Sequence, residues 1–502
     1  MEVKPTPKNN RGPKQYVEVR WEDTRFGHRF IKKWLFWIGA FVLVLAIVSR
    51  MPNLFSTVFR MESRISETAG GFVNILFLLI FIVIWIKILH LGFNGRMLQA
   101  ACLFIAVFPI SSRVMTARAM TLFVDQYTNQ QVQISITTLT VLLLFFFHES
   151  RKRKNHSPSV KRNPVYHLIL FYWAIVFLVQ MIHHSPVAAF NLAFVYILQP
   201  FMFLVLLVDS IEKKYDLYLF ECAFVVSVIL TIMVRFSQDI SLSSISARAA
   251  KTSGAYGQFI PYAEILAFML PVMIALWVVY RDDLPRRRIL IFSIILVVVE
   301  LIGTGTRGAL FSLAALSLFF LDRRTRKPFL FICFLSGLLF LLAWPFFGAM
   351  YLNRAIYLDS RIYEIDSVAV RLMIDSDAMI KAIQNPVFGY GIGYNFTYNV
   401  SEVHGRVHNT FVSLAIMAGI PALTVFILIV WRALLNTFYR IRHASTPNER
   451  ILAIGVTAGI FSFLISGMTS GGELFWGNNH EWKMMLFGLI ALSVIVREKE
   501  LK

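Results

Sequence analysis

Apolar residues run along this chain in blocks of about 18–22, separated by short polar turns. A block of that length crosses roughly 30 Å of hydrocarbon as a helix. Fourteen such blocks predict spans at approximately 34–49, 71–92, 98–115, 131–148, 164–183, 187–208, 216–235, 257–280, 289–304, 308–321, 328–347, 409–431, 451–470 and 483–496. The fold class expected is an all-α polytopic membrane protein with about 14 transmembrane helices, within a range of 12–14. The layout follows directly. Residues 1–33 form a basic N-terminal segment, 34–347 carry the first eleven spans, and 348–408 form one large loop. Residues 409–496 carry the last three spans and 497–502 a short tail. No small-residue cleavage motif follows the first block, "WLFWIGAFVLVLAIVSRMPN", so it reads as an uncleaved span rather than a signal peptide.

The large loop is patterned as well. In "DSVAVRLMIDSDAMIKAIQNP", Val368, Leu372, Met379, Ile380 and Ile383 recur at helical spacing, and Pro386 ends the run. This predicts an amphipathic helix lying along the membrane surface with Arg371 on it. Next comes "NPVFGYGIGYNF", where Gly389, Gly391 and Gly393 permit a tight backbone path. A dinucleotide fingerprint is a poor reading of those glycines. Their spacing is GxGxG, and no strand–helix unit surrounds them.

Charge orients the spans. Alternate turns carry "RKRKNHSPSVKR", "RDDLPRRR", "DRRTRK" and "RALLNTFYRIRHASTPNER", and together with the small loops near 96 and 213 and the termini that face holds 33 of the 49 Lys and Arg residues. The bias places it, and both termini, in the cytoplasm. The same bias accounts for the net charge of +20 without invoking nucleic acid. Composition agrees, because 57% of residues are hydrophobic, above the roughly 45–50% of soluble domains. Cys102, Cys222 and Cys333 all fall in apolar blocks and propose neither disulfides nor a metal site. A proton- or ion-coupled transporter would show more charge at mid-depth than Lys87, which can snorkel, and Glu221, which has no evident role.

The opposite face carries Arg248, Lys251, Arg307, Arg371, Arg406, His404 and His408, with Glu264 and Glu300 near the same helix ends. Arginines there run against the charge bias. Arg307, in "ELIGTGTRGAL", reads as a turn or lipid-phosphate residue, or as a guanidinium that holds a diphosphate through paired bonds. Arg371 divides in the same way, and Arg248 and Lys251 compete for a third such position with an ordinary loop charge. His404 and His408 flank Arg406 in "VHGRVHN". Their i, i+4 spacing suits zinc, but the metalloprotease glutamate is missing and a glycine weakens the helix. The other readings are solvated loop histidines or a general base, since imidazole titrates near neutrality. His408, at the mouth of a span, is the better candidate base. The "DSD" at Asp375–Asp377 reads as solvated charge rather than a metal–nucleotide pair.

Four stretches in order resemble the O-antigen ligase and polymerase family of bacterial envelope enzymes: "ARAAKTSGAYGQFIPYAEILA", "LIGTGTRGALFSLAALSLFFL", "RLMIDSDAMIKAIQNPVFGYGIGYN" and "VHNTFVSLAIMAGIPAL". The resemblance covers about 247–425. It implies a GT-C-like helical glycosyltransferase of the bacterial inner membrane, working at its outer face on an undecaprenyl-diphosphate-linked glycan, with no metal and no cofactor. Carried over by position, Arg307 and Arg371, with Arg248 or Lys251, would hold the donor diphosphate. Arg406 and His404 would stand beside the substrates. His408 would deprotonate the acceptor hydroxyl, which attacks the anomeric carbon with inversion. The acceptor would be another repeat unit for a polymerase, or lipid A–core or a protein for a ligase; the span count favours the polymerase. Membrane lipids and the flippase and chain-length-control machinery would be the remaining partners. A flippase or exporter is the alternative of a different class, but it would show internal repeats, and none is detectable.

Overall fold

A computed structural model describes residues 83–116, 120–124, 131–134, 136–154, 163–238, 259–304, 307–327, 329–331, 333–334, 337–338, 368–392, 407, 409–469 and 480–499. The helices are α1 (Val83–Phe93), α2 (Met97–Thr116), α3 (Ile136–Lys154), α4 (Pro164–His183), α5 (Pro186–Ser210) and α6 (Lys214–Gln238). They continue with α7 (Phe259–Val279), α8 (Leu284–Thr304), α9 (Arg307–Ser312, tightening to a 3-10 helix over Leu313–Leu321) and α10 (Val368–Gln384). The last three are α11 (Thr410–His443), α12 (Pro447–Thr469) and α13 (His480–Glu498). Among the described residues, helix thus occupies the second to tenth predicted spans, apart from the start of the fourth, and the twelfth to fourteenth, while most of the eleventh lies outside them. The first span lies outside the described residues.

Six of these helices contain a stretch long and apolar enough to cross a membrane: α4, α5, α6, α7, α11 and α12. That is fewer, among the described residues, than the fourteen spans expected. Part of the difference is that apolar blocks and helices do not share boundaries. Helix α3 runs on through the "SRKRK" that follows its apolar run, and α8 begins inside "LPRRR".

The all-α expectation needs one correction. Met120–Val124 and Gln131–Ile134, labelled β1 and β2, pair antiparallel with Met120 opposite Ile134 and Val124 opposite Gln131. The fourth span was expected to start as helix at 131. In "QVQI" glutamines alternate with Val132 and Ile134 at the period of two that suits a strand. Helix begins at Ile136.

Helix α7 forms the centre of the bundle, and every residue from Tyr262 to Tyr280 is buried. Its sequence is apolar on all sides, as a helix surrounded by other helices requires. Helix α12 packs closely along it through small residues. A Cβ at Gly459 would stand 2.7 Å from the Phe268 carbonyl oxygen, and one at Gly455 would stand 3.0 Å from that of Pro271. Close approach through glycine four residues apart is how membrane helices gain contact without a hydrophobic drive between them.

The basic turns are tied by ion pairs. Arg440 and Glu449 meet at 2.9 Å, nearly buried, across the α11–α12 turn. His148 and Lys152 of α3 reach Asp209 of α5 at 2.7 and 2.9 Å. Arg286 lies over the rings of Tyr215, Tyr218 and Tyr280 at 4.9–5.6 Å. Lys499 donates to the carbonyls of Val208 and Ile211 at the end of α5, and burial pulls its ammonium pKa below the usual lysine range.

Candidate functional site

Helix α11 starts where Asn409 makes it start. The Asn409 side-chain oxygen accepts from the Phe411 and Val412 amides at 2.9 and 3.3 Å, which pairs two of the N–H groups a helix start leaves open. His408 directly precedes this cap. His408, His404, Arg406, Arg248 and Lys251 all lie outside the described residues. Arg307 and Arg371 are described in backbone only, as the first residue of α9 and a residue in the first turn of α10.

Two packing relations locate those backbones. Helices α9 and α12 run antiparallel: Arg450 stands beside Asp322 at 3.6 Å, and Ser462 donates to Ser312 at 2.9 Å. Continued by five residues, this register sets the start of α9 at the level of Gly467. Gly467 in turn packs against Thr410, the first residue of α11. Arg307 and the start of α11 therefore lie at the same end of the bundle, opposite the basic turns.

Helix α10 joins the same region differently. Ile374, Ala378 and Ala382 are completely buried, and they form one apolar cluster with Val407, Val412, Ala415 and Ile416. The helix bearing Arg371 and the neighbour of His408 thus belong to a single cluster, separate from the main core. The residues that dock are not the large apolar ones of the surface stripe. Met379, Ile380 and Ile383 are exposed, and the buried stripe is the smaller one, because α10 docks on α11 through alanines.

The glycine segment after α10 wedges into a break in α11. At Gly419 φ is 84° and ψ 165°, so the helical ladder stops. The freed groups find partners in residues 386–391. Ile420 N–H donates to Pro386 O at 2.7 Å, Tyr390 N–H to Ile416 O at 2.7 Å and Gly391 N–H to Met417 O at 3.1 Å. Met417 O needs an outside donor, since residue 421, whose amide would serve it in an unbroken helix, is proline. In hydrocarbon, irregular backbone survives only when paired this fully. Gly389 and Gly391 both have positive φ, 57° and 87°, so the tight path expected of these glycines is what the chain takes. Gly393 lies outside the described residues.

The last turn of α4 closes over this wedge. Gln180 is completely buried. Its side-chain oxygen accepts from Ile392 N–H at 2.6 Å, and its nitrogen lies 3.5 Å from Met417 O. The His183 and His184 rings donate through Nε2 to Phe388 O and Ile392 O, at 3.3 and 3.1 Å. Sequence reasoning did not single out these three residues. The available signals were polar "Q" and "HH" at the end of an apolar block and "GIP" in the middle of another.

Among the described residues one trio could hold a metal: His148, Glu149 and Asp209, whose ligand atoms lie within 4.8 Å of one another. It sits at the basic end, and the Asp209 carboxylate is already paired with Lys152.

Residues 292–427 match a family model described as O-antigen ligase. The resemblance read from the sequence is borne out over that stretch, which includes Arg307, Arg371, His404, Arg406 and His408 and leaves out Arg248 and Lys251. No curated protein matches the chain.

Proposed function

We propose, from the premise that this chain carries an O-antigen ligase family domain, that it transfers a polyprenyl-diphosphate-linked glycan to an acceptor hydroxyl at the outer face of the cytoplasmic membrane. The observation that carries the reading is where the matched stretch falls. Residues 292–427 take in the two arginines and the histidine singled out by their chemistry, together with the elements that hold them.

Arg307 and Arg371 hold the donor diphosphate through bidentate guanidinium–phosphate bonds. As the glycosidic bond breaks, negative charge grows on the departing phosphate oxygen, and fixed cations in a partly dry site stabilise it strongly. His408 takes the proton of the attacking hydroxyl, a contribution of about 10²–10⁴-fold. Attack from the face opposite the diphosphate inverts the anomeric carbon. No nucleotide sugar and no metal enters this scheme, and Arg248 or Lys251 supplies further diphosphate contact.

The acceptor separates two forms of this function. A polymerase adds repeat units on the lipid carrier, whereas a ligase moves the finished glycan to lipid A–core or to protein. The span count favoured the polymerase; the description of the matched family favours the ligase. Glycan analysis of cells lacking the chain tests both. Single repeat units on lipid A–core identify a lost polymerase, and long glycans retained on the carrier identify a lost ligase. Repeat units trapped in the inner leaflet would identify a flippase and overturn the transferase reading.

A further inference from the structure

We infer that Gln180, on α4 and outside the matched stretch, is a positioning residue for the transfer site. This inference rests on the reading of Arg371 and His408 given above. An amide buried among apolar helices is unfavourable unless both its ends are hydrogen-bonded. Gln180 resolves this by joining two separate pieces of chain, accepting from Ile392 of the glycine segment and facing Met417 O of the broken helix. Nothing about ending α4 requires that arrangement. The α4 terminus is closed by its own backbone, with His184 N–H donating to Gln180 O at 2.8 Å.

The pieces it joins are those that set the site. The glycine segment begins directly after α10, and Asn385, the residue that follows the helix, donates to Gly389 O. It also leads into the chain that returns as Val407, His408 and the Asn409 cap. Helix α10 slides along α11 only if Ile392, Gly391 and Tyr390 move with it; Gln180 opposes this together with His184, and it is the side chain that reaches both the glycine segment and the broken helix. The fit has no slack. A Cβ on Gly391 would stand 2.8 Å from His183 Cβ and 3.0 Å from its Cγ. A small shift of α10 alters the spacing between Arg371 and His408, and misplacement by about 1 Å can cost on the order of 10²-fold in rate.

The test uses the full chain in lipid vesicles with a synthetic polyprenyl-diphosphate oligosaccharide as donor. Gln180→Leu and Gly391→Ala are each expected to lower kcat at least about tenfold while donor KM stays within about twofold. Amide exchange at Ile392 should accelerate in both. Gln180→Glu, which keeps the oxygen facing Ile392, should recover most of the lost kcat. Should Gln180→Leu fail to fold, Gly391→Ala carries the test alone. Faster exchange at Ile392 with kcat within about twofold of the parent chain overturns the proposal. Arg371→Ala and His408→Ala run in parallel. Full transfer by those two overturns the reading of the site, whereas their inactivity beside an unimpaired Gln180→Leu overturns only the role of Gln180.

Discussion

Placing alanine at Gly419 tests whether the break in α11 is built into the fold. The residue has φ 84° and ψ 165°, a region that is essentially glycine-only and that costs another residue roughly 1–3 kcal/mol. The added Cβ would fall within van der Waals contact of Val387 O, at 2.7 Å from Val387 C and 3.1 Å from Pro386 O. All of these are backbone atoms, so no side-chain rotation relieves the clash. The helix could instead straighten, letting Ile420 N–H return to Ile416 O. Tyr390 N–H would then lose its acceptor and Pro386 O its donor, at about 1–3 kcal/mol for each buried group left unpaired. Met417 O would gain nothing, because Pro421 offers no N–H. Either route costs about 2 kcal/mol or more. Thermal unfolding in detergent should show the Gly419→Ala midpoint several degrees below that of the parent chain, with faster amide exchange at Tyr390, Gly391 and Ile420. Gly337→Ala is the control, since nothing lies within 4 Å of the added Cβ there, and a change beyond about 0.5 kcal/mol is not expected. A Gly419→Ala protein with unaltered midpoint and exchange would refute the reasoning.

Further expectations follow from the same structure. Glu449→Gln strands the nearly buried Arg440 guanidinium, and breaking such a pair costs about 3–5 kcal/mol; the double variant Arg440→Met, Glu449→Leu should regain most of this in thermal unfolding, and an unaffected single variant would contradict it. Ala378→Leu forces a larger side chain into the completely buried α10–α11 cluster, a change that typically costs about 1–3 kcal/mol, and glycan transfer should fall with it; wild-type transfer would show that α10 placement does not matter. In intact cells, a membrane-impermeant thiol reagent should label Ser253→Cys and spare Ser157→Cys, and the reverse pattern would invert the orientation.

The apolar blocks made the positions of the helices legible, because length and hydropathy are what hydrocarbon selects. They did not reveal the break in α11. Hydropathy does not change around Gly419, so "GIP" is the one local sign, and the partners that stabilise a break there, Pro386 to Gly391, are distant in sequence. The docking face of α10 was hidden for a related reason. Large apolar residues marked the face expected along the membrane surface, and Ile380 and Ile383 are exposed, whereas the small Ala378 and Ala382 that bring the backbones close carry no such signal. The arginines expected on the less basic face were singled out as candidate chemistry because they run against the charge bias, and His408 because imidazole titrates near neutrality. Gln180 was not, since a single amide at the end of a span gives no sign of the carbonyl and amide it will join.

The most direct measurement takes the purified chain in vesicles with a polyprenyl-diphosphate glycan and follows release of the free lipid diphosphate in the presence of acceptor. His408→Ala should keep its secondary structure and unfolding midpoint and release the lipid at least about 10²-fold more slowly. Release at the parent rate by the folded His408→Ala protein would contradict the account.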